Sequence, residues 1–373
     1  MSGFNFRDLR NVIVINIFIL LTGLLVIELV FGSWFRSSNY LFQLTIIKNK
    51  KLVYNIEELY QSENRVVNYS RDKFGLRGRY NNVDNINILS VGGSTTDQRY
   101  ITDGSTWQDI LQNCFHSVGE AIIVANAGVD GQSTYGHIKN FDMWFNLIPN
   151  LKPQYFLFSI GVNDFHVNND SSLDDLVLIN NSSSKIHKIK SRIKNNSVLY
   201  YLYQLIKNIL SAYDAGLGHK PGHSPQNFNE INWIKGSLIK NHENHFKDRL
   251  SAFEKRLEIL CQKVKEYGAI PIFVTLSERR LYKFIGDEIY GDSSWTIEYD
   301  GLRINSVDYY HIISLYKKIT EKISKMNNAI FIDLDSELKF NLKNDFYDSN
   351  HHTPSGAKKV GEYLFNKLKN ILM

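Results

Sequence analysis

The sequence predicts an α/β fold, a five-stranded parallel sheet covered by helices on both faces, carried behind one N-terminal transmembrane helix. Three observations predict it. Five short apolar runs rich in β-branched and aromatic residues alternate with helical stretches, the pattern of parallel strands buried on both faces. The first three runs end in turns bearing Gly, Asn or Asp, at the strand ends where such sheets hold ligands. Ahead of them lies one long, almost uninterrupted apolar segment.

That segment, VIVINIFILLTGLLVIELVF from Val12 to Phe31, would span about 30 Å as a helix. Only Asn16, Thr22 and Glu28 interrupt it. A core helix would carry a polar stripe. A cleaved signal peptide would have a shorter apolar run and a small-x-small site, which FGSWFRSS does not supply. Residues 1–35 are therefore read as an uncleaved membrane anchor. Arg7 and Arg10 precede it, while Arg36, Lys48, Lys50 and Lys51 follow, so flanking charge does not decide its orientation. Residues 36–84, polar and rich in Asn and Tyr, are read as a stalk and domain edge, and 85–373 as the main domain.

The strand candidates are INILSVGG ending at Gly93, AIIVANAG (121–128), YFLFSIG (155–161), IPIFVTL (270–276) and AIFIDLD (329–335). Helices are expected at STWQDILQNCF, YGHIKNFDMWFNLI and FKDRLSAFEKRLEILCQKVKEYG, with a final helix after Pro354. The long connections suggest two insertions, a cap over about 166–238 and a second over about 277–312. Their aromatic stretches YYLYQL and SSWTIEYDG are read as lid core.

Composition narrows the function classes. With 43% hydrophobic and 13% aromatic residues the chain can bury a sizeable core. The 43 basic and 38 acidic residues are dispersed, which argues against a nucleic-acid partner. Cys114 and Cys261 lie in helical stretches and are read as free, packed thiols. No Cys-x-x-Cys or His-x-x-x-His spacing occurs near them, so neither metal nor cofactor is expected.

The chemistry-bearing residues sit at strand ends. Gly92-Gly93-Ser94-Thr95-Thr96 follows the first strand. There the serine hydroxyl is exposed beside helix N-terminal amides that can receive an oxyanion, although a serine cap in a glycine turn has the same sequence. The second strand runs into Asn126-Ala127-Gly128-Val129-Asp130-Gly131 and the third into Gly161-Val162-Asn163-Asp164. These turns offer glycine amides and an asparagine side chain as further donors. Near the C-terminus, Asp348-Ser349-Asn350-His351 is followed by His352. An aspartate three residues before a histidine can hold its Nδ1–H and aim Nε2 at a serine, or it can simply cap a helix.

The series GGSTT, GVDG, GVND and DSNH resembles, in order, blocks I, II, III and V of the SGNH/GDSL hydrolase superfamily over about 85–373. The resemblance implies a flavodoxin-like three-layer α/β/α sandwich. It implies Ser94 as nucleophile, His351 as base and Asp348 as its orienting partner, with Ser94, Gly131 and Asn163 forming the oxyanion hole. Gly128 competes with Gly131, and His352 with His351; family spacing favours Gly131 and His351. Gly-Gly-Ser replaces the usual Gly-Asp-Ser.

The implied activity is a serine esterase acting on acyl esters, O-acetyl groups of cell-surface polysaccharide by family analogy. Its partners would be an acylated carbohydrate or other ester and the membrane, with the catalytic domain extracytoplasmic (periplasmic). An O-acyltransferase with the same triad and a catalytically idle glycan-binding or scaffold subunit are the alternatives.

Overall fold

The computed structural model describes residues 6–32, 34, 44, 46–166, 193, 197–200, 202, 203, 206, 231–276, 281–299 and 301–373. Most of the expected cap insertion, 166–238, lies outside the described residues. The chain divides into two compact units, residues 1–45 with 177–218, and residues 46–176 with 219–373.

In the first unit, α1 (Phe6–Phe31) contains a 22-residue stretch, Arg10–Phe31, long and apolar enough to cross a membrane. Glu28, the one acidic residue of that stretch, accepts hydrogen bonds from Trp34 Nε1 (2.9 Å) and from the Leu199 amide (3.2 Å).

The second unit opens with a hairpin, β1 (Lys50–Asn55) and β2 (Val66–Arg71). Next come β3 (Ile88–Gly92), α2 (Ser94–Asp97), α3 (Trp107–Ser117), β4 (Val124–Asn126), α4 (Thr134–Met143), β5 (Tyr155–Ile160) and α5 (Val162–His166). The chain continues through β6 (Trp233–Lys235), α6 (His242–Glu266) and β7 (Ile270–Thr275). It then forms β8 (Tyr282–Ile285), β9 (Glu288–Asp292), β10 (Thr296–Tyr299) and β11 (Leu302–Asn305). It closes with α7 (Ser306–Asn327), β12 (Ile330–Ile332), α8 (Leu334–Glu337) and α9 (Pro354–Leu372).

Five strands pair in the order β4-β3-β5-β7-β12, all parallel. This is the flavodoxin-like doubly wound order, and all five expected strands are present within their predicted runs. Alternation along β5 separates the layers. Leu157 joins Trp107 and Phe115 of α3 and Leu364 of α9 in one core. Phe156 and Phe158 face the opposite side, where Phe156 meets Phe141 of α4 (4.9 Å between ring centres) and Phe158 meets Phe273 (5.4 Å). Burying each such aromatic or aliphatic side chain contributes about 1.5–3 kcal/mol.

Local signals set the helix starts. Thr106 and Asp109 form a reciprocal capping box for α3, and Thr353 with Pro354 opens α9. Asn305 and Asp308 box the start of α7. Within the expected second insertion, β8 pairs with β9 and β10 with β11. Tyr299 stacks on Phe165 and Trp295 lies against Tyr309, while Phe284 stays exposed.

Candidate active site

Strand β3 is buried along its whole length and delivers the chain into the Gly92-Gly93 turn. A Cβ on Gly93 would stand 2.2 Å from Asn163 Nδ2; the asparagine amide can lie over this turn only because residue 93 has no side chain. Ser94, the first residue of α2, is partly exposed. Its Oγ lies 2.7 Å from His351 Nε2.

His351 comes from the loop between α8 and α9. Its Nδ1 is 2.6 Å from Asp348 Oδ2, and its own amide donates to Asp348 Oδ1 at 2.8 Å. Burial works to raise the Asp348 pKa, but hydrogen bonding and charge interaction with the His351 ring, helped by the His351 and Asn350 amides, prevail and hold it below the usual carboxylate value. An ionised carboxylate only accepts. Nδ1 therefore carries the proton, and Nε2 is left to accept one from the Ser94 hydroxyl.

Of the other expected oxyanion donors, Asn163 lies at the same turn. Gly131 adopts φ +76°, the left-handed region that favours glycine, and a Cβ there would meet nothing within 4 Å. Gly128 does not offer its amide, which donates to Asn126 Oδ1 at 2.8 Å. Asn163 Nδ2 donates to Gln132 O at 2.8 Å, which uses one of its two hydrogens. His352 has other partners: it is 6% exposed, stacked on Phe340 and tilted against Phe346, and its pKa is lowered to about 3, chiefly by burial and then by the neighbouring His351.

Several supporting residues escaped the sequence reading. Asp97 ends the short helix that begins at Ser94 and is 2% exposed. Its Oδ1 accepts from Arg71 Nη2 (2.6 Å) and from Tyr69 Oη (2.8 Å), both on β2. Arg71 also donates to the Gly128 carbonyl, and Arg77 Nη1 donates to the Asp97 carbonyl at 2.8 Å. The segment expected as a stalk and domain edge thus holds the serine turn in place. Val67, Tyr69 and Arg71 are the buried residues of β2, a period-two pattern visible in VVNYSR. On the other side, Asp164 Oδ1 accepts from the Thr134 amide at 3.2 Å and contacts Arg256 Nη2 at 3.3 Å, tying the start of α4 to α5.

Among the described residues no group of three His, Cys, Asp or Glu side chains is placed to hold a metal ion.

A flavodoxin-like sandwich with a serine, a histidine and an aspartate hydrogen-bonded in series at the carboxyl edge of its sheet has the architecture expected of an SGNH/GDSL-type domain. Solved structures similar to this chain are esterases and lipases. One is a catalytic mutant of an acetylxylan esterase from Geobacillus stearothermophilus, 13% identical, covering 77% of this chain and 94% of its own at a TM-score of 0.39. Another is the psychrotrophic esterase EstA from Pseudoalteromonas sp., 12% identical, covering 77% and 98% at 0.38. A third is a GDSL-like lipase candidate from Parabacteroides merdae, 13% identical, covering 79% and 99% at 0.42. These likenesses are distant; the fold rests on the strand order and the site on its own distances. No protein-family model matches the chain, and no curated protein matches it either.

Proposed function

We propose that the chain is a serine esterase in which Ser94 is the nucleophile, His351 the general base and Asp348 the residue that fixes the imidazole tautomer. The observation that carries this reading is the unbroken series Asp348 Oδ2, His351 Nδ1, His351 Nε2, Ser94 Oγ, with contacts of 2.6 and 2.7 Å. His351 Nε2 takes the hydroxyl proton as Oγ attacks an ester carbonyl. The carbonyl oxygen gains the negative charge, received by the amides of Ser94 and Gly131 and the second Nδ2 hydrogen of Asn163. Collapse expels the alcohol, which takes the proton from His351. Water then attacks the acyl-serine by the same route and releases the acid.

The Gly93 turn that admits Asn163 supports its part in the oxyanion assignment, and the resemblance of the GVDG block supports that of Gly131. The resemblance of the four sequence blocks extends the proposal to O-acyl esters, acetyl above all, on cell-surface polysaccharide, with α1 as the membrane tether. The test is labelling of the detergent-solubilised chain with a fluorophosphonate, beside hydrolysis of p-nitrophenyl acetate and acetylated sugars. Labelling at Ser94, abolished in Ser94→Ala together with turnover, is the expected result; hydrolysis retained by Ser94→Ala would overturn the assignment.

A further inference from the structure

The histidine loop carries a second aromatic ring that the proposed chemistry does not use. Tyr347 lies almost parallel to His351, 11° between the planes and 5.5 Å between ring centres. It is 9% exposed, and its amide donates to the His351 carbonyl at 3.0 Å. Behind it, Tyr60 stacks on Tyr347 at 5.8 Å and 27°, while Tyr100 meets the same ring edge-on at 6.5 Å. Tyr60 belongs to the connection between β1 and β2, and its hydroxyl donates to the Tyr100 carbonyl at 2.6 Å.

The hairpin therefore touches both halves of the site. Through Tyr69 and Arg71 it holds Asp97, at the end of the helix that Ser94 begins. Through Tyr60 it reaches the ring stacked on His351. Ser94 and His351 are 257 residues apart in sequence, and the hairpin braces the two segments that bring them together. Both hydrogen-bonding nitrogens of an imidazole lie in its ring plane. A flat ring against that plane fixes the tilt that serves Asp348 and Ser94 at once, and a small error of tilt costs rate much more than binding.

We infer that Tyr347 is a positioning residue for His351 and that Tyr60, from the hairpin, holds Tyr347 in that role. The inference rests on the reading of Ser94, His351 and Asp348 as an esterase triad. Tyr347→Leu in the full solubilised chain is expected to lower kcat for p-nitrophenyl acetate about 10- to 100-fold, with KM changed less than about twofold. Tyr347→Phe keeps the flat ring and should stay within about threefold of the parent, because stacking and not the hydroxyl does the positioning. Tyr60→Leu, outside the histidine loop, should lower kcat in the same direction by a smaller factor, which guards against a loop that fails to fold in Tyr347→Leu.

A proton NMR signal for His351 Nδ1–H, well downfield because it is shared with Asp348, should persist in Tyr347→Phe and shift or vanish in Tyr347→Leu. Wild-type kcat in Tyr347→Leu, an equal loss in the Phe and Leu variants, or a loss carried by KM would each overturn the inference. An inactive parent chain would instead sink the esterase reading, and the Nδ1–H signal would still decide whether Tyr347 orients the ring.

Discussion

Arg71 Nη2 lies 2.6 Å from Asp97 Oδ1, with the two side chains only 3% and 2% exposed. The pair joins the β1–β2 hairpin to the four-residue helix that starts at Ser94. Tyr69 and Arg99 also contact the carboxylate, and the Gly75 and Gly128 carbonyls accept from the guanidinium, so neither charge is left without partners.

Arg71→Met is expected to destabilise the domain by about 1.5–3 kcal/mol, because Asp97 loses its closest charged donor and keeps only Tyr69 and the more distant Arg99, 3.6 Å from Oδ2. The double variant Arg71→Met/Asp97→Leu should recover a large part of that loss. Urea unfolding midpoints of the detergent-solubilised chains measure both. A single variant as stable as the parent would show that the Arg71–Asp97 contact adds nothing beyond what Tyr69 and Arg99 already supply.

The core sheet was legible because its strands are buried on both faces. VGG, NAG and GVND follow such runs, and a continuous apolar stretch of five or six residues between helices has few other uses. The β8–β11 pairs were not legible as strands. YKFI and TIEY are short and half exposed, and tertiary packing decides their conformation, Tyr282 and Phe284 against Tyr310 and Tyr299 against Phe165. The start of α7 fell inside an expected insertion, although its Asn305 and Asp308 box was present in the sequence. Ser94, Asp348 and His351 were recoverable from motif order. Arg71, Tyr60 and Tyr347 were not, because each acts through a contact between segments far apart in the chain, which no local pattern encodes.

The Gly93 turn gives a test of Asn163. A methyl group at residue 93 would need space that Asn163 Nδ2 occupies at 2.2 Å. Gly93→Ala should therefore displace the asparagine and lower kcat about 100- to 1000-fold, the range seen on losing one oxyanion donor. Asn163→Ala should cost a similar factor. If the two act through one group, the double variant will be no worse than the poorer single one. Additive losses in steady-state kinetics would mean that Gly93→Ala disturbs Ser94 itself.

The apolar window of α1 has none of its residues buried. An 18-residue window of mean hydropathy 2.7 would be insoluble as a free surface helix and suits a bilayer. The expected result is full-length chain in the membrane fraction, resistant to alkaline carbonate, and a variant lacking residues 1–32 in the soluble fraction. Carbonate release of the full chain would remove the anchor.

Acid stability turns on histidines whose pKa is lowered in the fold, His137, His352, His166 and His311 among the described residues. His137 is 1% exposed, and neither ring nitrogen has a hydrogen-bond partner among the described residues. Burial lowers its pKa to about 3, and that of His352 to about 3 with a further push from His351. An unfolded histidine titrates near 6.5. Between about pH 6.5 and 3 the unfolded chain binds protons that the folded chain refuses, so stability falls on acidification by about 1.4 kcal/mol per pH unit for each group. Asp348, also lowered, acts only at more acid pH. Its contribution is complete above the unfolded value of about 3.9 and is lost as pH falls through the folded one. The slope between pH 6 and 4.5 therefore belongs to the histidines. His137→Leu replaces an unpaired polar ring with an apolar group of similar size, so at pH 7.5 it should change stability little. Between pH 6 and 4.5 it should flatten the pH dependence of the urea midpoint by the equivalent of one proton. An unchanged slope would show that His137 accepts its proton in the folded chain.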